Sequence, residues 1–213
     1  CMNTYQLIVN ELENLSNKEK GLSMQRFFKT GKGEYGEGDI FYGVSVPQQR
    51  LIAKKYVAHS EVATIISLLD SPIHEQRLTG IFILTQKFNA DFKKNSAEQW
   101  VKLYLSKTSR INNWDLVDSS AHLILGKWLE NKERSILYDL AKSSLLWENR
   151  IAIIANLHFI RNNDFTDILE LSKIMLTHKH DLIHKATGWM LREVWEKAPQ
   201  KVEEFLNSHG NKM

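Results

Sequence analysis

Two residues four apart, Trp114 and Asp118, carry the most suggestive chemistry in the chain. On a helix that spacing stacks them one turn apart on a single face. An indole plate beside a carboxylate can hold and stabilise a cation, through the ring face and through charge. Lys185 and Trp189 repeat the spacing further along and place a second indole on the corresponding face. A structural role fits the first pair as well, because the helix macrodipole favours an acid in a first turn. The surrounding residues suit a helix. Asn112 or Asn113 can cap its start, and Leu116, Val117, Leu123, Ile124 and Leu125 supply a core-facing side.

The elements that must position these residues are helices. Only three prolines occur in 213 residues, and the abundance of Leu, Ile, Lys, Glu and Ala favours helix over turn-rich β architecture. Short amphipathic helices are expected near 5–15 and 22–28, the second closed by Gly31 as its C-terminal glycine. Residues 31–43 then hold five of the ten glycines with Glu34, Glu37 and Asp39. They lack a Gly-Lys-Ser/Thr ending, and their acids would repel phosphate, so this stretch reads as a flexible surface loop, with a lid or DNA-contacting loop as the alternative. Ser45 or Val46, followed by Pro47, opens the next helix. From there helices are expected at about 72–88, 96–105, 133–143, 147–161, 164–176, 182–197 and 200–208, with the Trp114 helix between them. No segment alternates with period two. The chain is expected to be all-α.

Four helices share a polar position followed by small or apolar residues, beginning at Arg77, Asp118, Arg150 and Lys185, at intervals of 41, 32 and 35 residues. That spacing suits a HEAT-like helical-repeat solenoid, an α-α superhelix of stacked helix pairs, with a generic helical bundle as the alternative. The expected organisation is one domain over 1–213, with N-terminal helices and a Gly-rich loop over 1–45 and repeats over 46–213. In that register Arg77, Arg150 and Lys185 line a concave basic face suited to a nucleic-acid backbone, with Asp118 as its one acid.

Composition narrows the function classes. A net charge of +3 and a sequence pI of about 8.8 are compatible with a basic patch. No apolar run approaches the roughly 20 residues that span a bilayer, and no secretory leader is apparent at the N-terminus, so no membrane partner is expected. Cys1, the sole cysteine, precedes Met2 as if added ahead of a natural start. The absence of other cysteines suits a cytoplasmic setting.

Three segments together resemble a known family: Asn113-Trp114-Asp115-Leu116-Val117-Asp118-Ser119-Ser120, Trp147-Glu148-Asn149-Arg150-Ile151-Ala152, and Lys185-Ala186-Thr187-Gly188-Trp189-Met190-Leu191-Arg192. In order and spacing they are similar to the AlkD-type HEAT-like-repeat alkylpurine DNA glycosylases, over most of the chain from about Val46; the Gly-rich loop departs from the archetypal members. The resemblance implies a monomeric DNA glycosylase of base excision repair, removing cationic N3- and N7-alkylated purines from duplex DNA without flipping the base. It implies no metal or nucleotide cofactor. It makes Asp118 the catalytic carboxylate, has Trp114 and Trp189 pack the deoxyribose, and has Arg150 contact the DNA backbone. The alternative function is a non-catalytic relative that binds altered or branched DNA; a protein-binding repeat scaffold is a third.

Other signals are weaker. His178, His180 and His184 have the spacing of metal ligands without an acid or cysteine partner, and read as surface histidines. Ser119 and Ser120 beside His122 lack the strand–turn–helix setting of a hydrolase nucleophile, and read as helix packing. Trp100, Trp128, Trp147 and Trp195 read as core or inter-repeat packing.

Overall fold

The computed structural model describes residues 2–210, so Cys1 lies outside the described residues. Twelve α-helices follow one another: α1 (Thr4–Asn14), α2 (Lys18–Phe27), α3 (Val46–Tyr56), α4 (Val62–Leu69), α5 (His74–Phe92), α6 (Glu98–Ser106), α7 (Trp114–Asp118), α8 (Ser135–Lys142), α9 (Leu146–Arg161), α10 (Thr166–Met175), α11 (Asp181–Lys197) and α12 (Pro199–His209). No strand occurs among the described residues; one isolated bridge pairs Ile40 with Ile73. The all-α class read from composition and periodicity is the class observed.

Local chemistry sets several of the starts. Asn3 and Gln6 form a capping box on α1, and Ser45 with Gln48 forms another on α3, where Pro47 occupies the first turn. Pro199 opens α12 in the same way. At the end of α2 the expectation fails: Lys29, with φ 55°, takes the left-handed position, so the helix closes two residues before Gly31.

The chain forms two compact units, Cys1–Leu116 and Val117–Met213, so the change of character at 45/46 is not a unit boundary. Each unit is built on one long helix. In the first, α3, α4 and α6 pack on α5, which buries Leu78, Ile81, Phe82, Ile83, Leu84 and Phe88. In the second, α8, α10 and α11 pack on α9, which buries its apolar residues from Trp147 to Ile160 and with them Asn149, Arg150 and Asn156. α5 and α9 are each buried around most of their circumference, polar residues included. Burying each Leu, Ile or Phe contributes about 1.5–3 kcal/mol, and α5 and α9 bury more such residues than the helices packed on them.

The segment expected as one Trp114 helix is divided. α7 spans only five residues, a turn follows at Ser119–Ser120, and His122–Gly126 then winds as a π-helix. The π-turn packs on α9, and Gly126 lies so close that a β-carbon there would sit 2.3 Å from the Ala155 carbonyl oxygen. The unit boundary falls within α7, after Leu116.

The Gly-rich loop is anchored, contrary to its expected flexibility. Its own acids serve its backbone: Glu34 accepts from the Gly31 N–H at 2.9 Å and Glu37 from the Gly33 N–H at 2.8 Å. Asp39 is buried, and the Glu75 carboxylate of α5 accepts the N–H groups of Tyr42, Gly43 and Val44. Of the acids that argued against phosphate binding, Glu34 and Glu37 are thus the loop's internal hydrogen-bond acceptors, and Asp39 accepts from α5.

Candidate functional site

The expected site residues divide between the two units. Trp114 and Asp115 open α7 in the first unit, and Asp118 closes it in the second. The Asn113 side chain accepts the Trp114 backbone N–H at 2.8 Å, which fixes the entry into the helix. The half-buried Trp114 indole stacks on Phe28, with centroids 5.1 Å apart and planes 19° apart, and meets the edge of Phe27 at 5.9 Å. Phe28 comes from the end of α2, where Lys29 turns the chain, so the early closure of that helix serves to seat the indole.

In the second unit Arg150 grips Asp118 with a guanidinium fork. Nε donates to Oδ1 at 2.9 Å and Nη2 to Oδ2 at 2.8 Å, while Nη1 donates to the Leu182 carbonyl at 2.6 Å. The Asp118 side chain keeps 19% of its exposure against 7% for Arg150, so the carboxylate is reachable and its partner is enclosed. Bidentate guanidinium–carboxylate geometry fixes direction as well as charge. Arg150 sits early in α9 and Leu182 early in α11, so the packing of α9 on α11 sets the orientation of Asp118.

Trp189, also half-buried, donates its indole N–H to Glu193 one turn along α11 at 2.9 Å. Lys185, one turn before it, is exposed and pairs with Asp181 at 2.8 Å. Arg77 departs from expectation. It is 1% exposed, and its guanidinium donates to Asp39 at 2.8 Å and to the Ser71 carbonyl at 3.1 Å. Arg77 and Arg150 both lie inside with carboxylate partners, so of the three expected surface cations only Lys185 is exposed. A buried cation needs an internal counter-charge, and the chain supplies one to each.

Sequence reasoning missed the network around His74. Nδ1 lies 2.7 Å from Asp39 Oδ2 and Nε2 lies 2.6 Å from Asp115 Oδ2, and the ring stacks on Phe41 at 4.4 Å. Burial pushes the imidazole down, but the Asp115 charge and the hydrogen bonds to Asp115 and Asp39 outweigh it and raise its pKa to about 9. The Asp39 carboxyl, pushed up by burial, is held below the usual range by His74 and Arg77. The partners are 35 and 41 residues from His74, so no local spacing announces them.

The remaining signals take structural places. His178 contacts Asn149 through Nε2 at 3.1 Å and accepts the His180 N–H through Nδ1 at 3.0 Å, while His184 Nε2 meets the His178 carbonyl. Among the described residues no group of three or more His, Cys, Asp or Glu is arranged to hold a metal ion. Trp100 is buried with its N–H on Asp91, and Trp147 is buried, but Trp195 is 44% exposed and is not core. Among the described residues no helix is long and apolar enough to cross a membrane.

Comparison with curated proteins gives no match. Among solved structures, the chain is similar to a "Predicted DNA alkylation repair enzyme from Enterococcus faecalis", with a TM-score of 0.73 over 91% of this chain and 89% of that one. The two share 19% sequence identity, which shows a common fold. The family described as DNA alkylation repair enzyme matches residues 8–213, nearly the whole sequence. With the helical fold and the family match in agreement, the chain belongs to the DNA alkylation repair enzymes, a family that acts on DNA in the repair of alkylation damage.

Proposed function

We propose that the protein is a monomeric DNA glycosylase that excises cationic N3- and N7-alkylated purines from duplex DNA, as a step of base excision repair. The observation that carries this reading is the reachable Asp118 carboxylate held in a two-point grip by an enclosed Arg150. An N3- or N7-alkylated purine is positively charged and is already a good leaving group. Breaking its N-glycosidic bond builds oxocarbenium character on the deoxyribose. A carboxylate fixed in direction stabilises that charge as it develops and can orient the attacking water. Because the leaving group needs no protonation, one carboxylate suffices where ordinary glycosidases use two. Trp114 and Trp189 add aromatic faces for the sugar, and the cation–π attraction of an indole favours a developing positive charge. Lys185 is suited to a phosphate contact. Arg150 acts in this reading by holding Asp118.

The test is release of free base from a duplex containing one 7-methylguanine, with Asp118→Asn run alongside. The wild type is expected to release the base, and the variant to turn over at least about tenfold more slowly with nearly unchanged DNA affinity. Equal rates would remove Asp118 from the mechanism. No release from that duplex or from methylated genomic DNA would leave a protein that only binds altered or branched DNA. Binding that weakens steeply with salt would then mark that function.

A further inference from the structure

The first unit holds a group of charged and aromatic side chains that the proposed reaction does not use, and they converge on the indole it does use. His74 opens α5 with both ring nitrogens on carboxylates, Asp39 of the Gly-rich loop on one side and Asp115 of α7 on the other. Carboxylates only accept, so both nitrogens donate and the ring is an imidazolium. The pKa of about 9 agrees with that geometry. The far oxygen of Asp39 accepts from Arg77, so two buried cations face two carboxylates and the group is electrically balanced.

Two routes connect this group to Trp114. One runs through the backbone. Asp115 follows Trp114 directly, and its Oδ1 also accepts the Leu116 N–H at 2.9 Å, so fixing the carboxylate fixes the first turn of α7. The other runs through rings. Phe28 lies 5.0 Å from the imidazole, 5.1 Å from Phe41 and 5.1 Å from the Trp114 indole, so the face that supports the indole is itself held by His74. Residues that bear on a site are held in place by the packing and hydrogen bonds behind them.

We propose that His74 is a positioning residue for Trp114: it clamps the Gly-rich loop to the first turn of α7 and seats the Phe28 ring on which the indole rests. The consequence for turnover rests on the reading of Trp114 given above; the consequence for the indole does not. The charged groups facing the imidazole are Asp39 from the loop and Asp115 from α7, with Arg77 of α5 reaching it through Asp39.

The experiment uses the whole chain labelled with 5-fluorotryptophan, the Trp114 signal being identified by its loss in Trp114→Phe. Fluorine spectra and single-turnover base release are recorded for the wild type and for His74→Gln, which offers one donor nitrogen in place of two and no charge. In the variant the Trp114 signal is expected to shift or broaden while those of Trp147 and Trp195 stay in place. Base release should fall at least tenfold, with affinity for undamaged duplex within twofold. If His74→Gln does not fold, a pH titration of the wild type replaces it, and the Trp114 signal should move with a midpoint near 9 while far-UV circular dichroism is constant. A folded His74→Gln whose Trp114 signal matches the wild type would overturn the proposal, as would a wild-type signal that does not move between neutral pH and complete deprotonation of His74. A fall in base release without a change at Trp114 would also overturn it. A wild type that releases no base would defeat the glycosylase reading, and the fluorine signal would still decide the role of His74.

Discussion

Asp118 and Arg150 show how much a residue's role depends on its partner. Their helical positions and the resemblance of their segments drew attention to both, but one was expected as the single acid of a concave basic face and the other as one of the cations lining it. The two-point contact at 2.9 and 2.8 Å makes them one unit, with Arg150 enclosed and Asp118 reachable. Removing the guanidinium leaves an ion without its counter-charge, a loss that costs about 3–5 kcal/mol in buried pairs. Arg150→Met leaves a carboxylate that water can reach and Asp118→Asn leaves an enclosed cation facing only an acceptor oxygen, so both are expected to destabilise the protein in urea unfolding, by up to that order. A loss under about 1 kcal/mol for Arg150→Met would mean that water takes over the role of Arg150. The neighbouring Asp115 carries a different lesson. It has the same chemistry and lies three residues away, yet it binds His74, so sequence proximity did not decide which partner each carboxylate holds.

At the scale of elements, the periodicity read along the chain found nearly every helix, and the errors fell where packing overrides local preference. The Trp114 segment has an apolar pattern that supports one continuous helix, but the chain winds as α7, a turn and a π-turn. The close approach of that π-turn to α9 requires Gly126. Gly126→Ala would press a β-carbon onto the Ala155 carbonyl and is expected to destabilise by about 1–3 kcal/mol. Gly188, inside α11, faces open space, and Gly188→Ala is expected to stabilise by about 0.4–1 kcal/mol through reduced freedom of the unfolded chain. Paired thermal denaturation curves check both. An equal effect of the two substitutions would show that helix propensity alone, and not packing, governs these positions. The Gly-rich loop failed as a sequence reading for the same kind of reason. Its composition signals flexibility, while its order comes from Glu34 and Glu37 within it and from Glu75 and His74 on α5.

For the molecule as a whole, two histidines with opposite shifts shape the dependence of stability on pH. His74, raised to about 9, binds its proton more tightly folded than unfolded. Its contribution is complete below the unfolded value near 6.5, declines as pH rises and is lost above about 9. His122 is lowered to about 4 by burial, with smaller contributions from the charges of Arg161 and His158, so the unfolded chain binds that proton more tightly. Its contribution is complete above about 6.5 and is lost as pH falls toward 4. Together they place the stability maximum near pH 6.5, to be checked by melting temperature across pH 4 to 10. His74→Gln should flatten the alkaline limb. A wild-type curve that is flat from 6.5 to 9 would show that the His74 network does not contribute as its geometry requires.

The sequence by itself determined the all-α class, most helix positions and the residues around Trp114, Asp118 and Trp189 as those to watch. These follow from local facts: hydrophobic period, capping side chains, scarce proline and short spacings along one helix. Only the tertiary structure decided which charged residues lie inside and what they hold. Arg77 meets Asp39 across 38 residues, His74 meets Asp115 across 41, and Arg150 meets Asp118 across 32. Burying a charge is tolerable only beside an opposite one, and which opposite charge arrives there depends on how helices pack. That choice is made between elements far apart in the chain, where no local pattern records it.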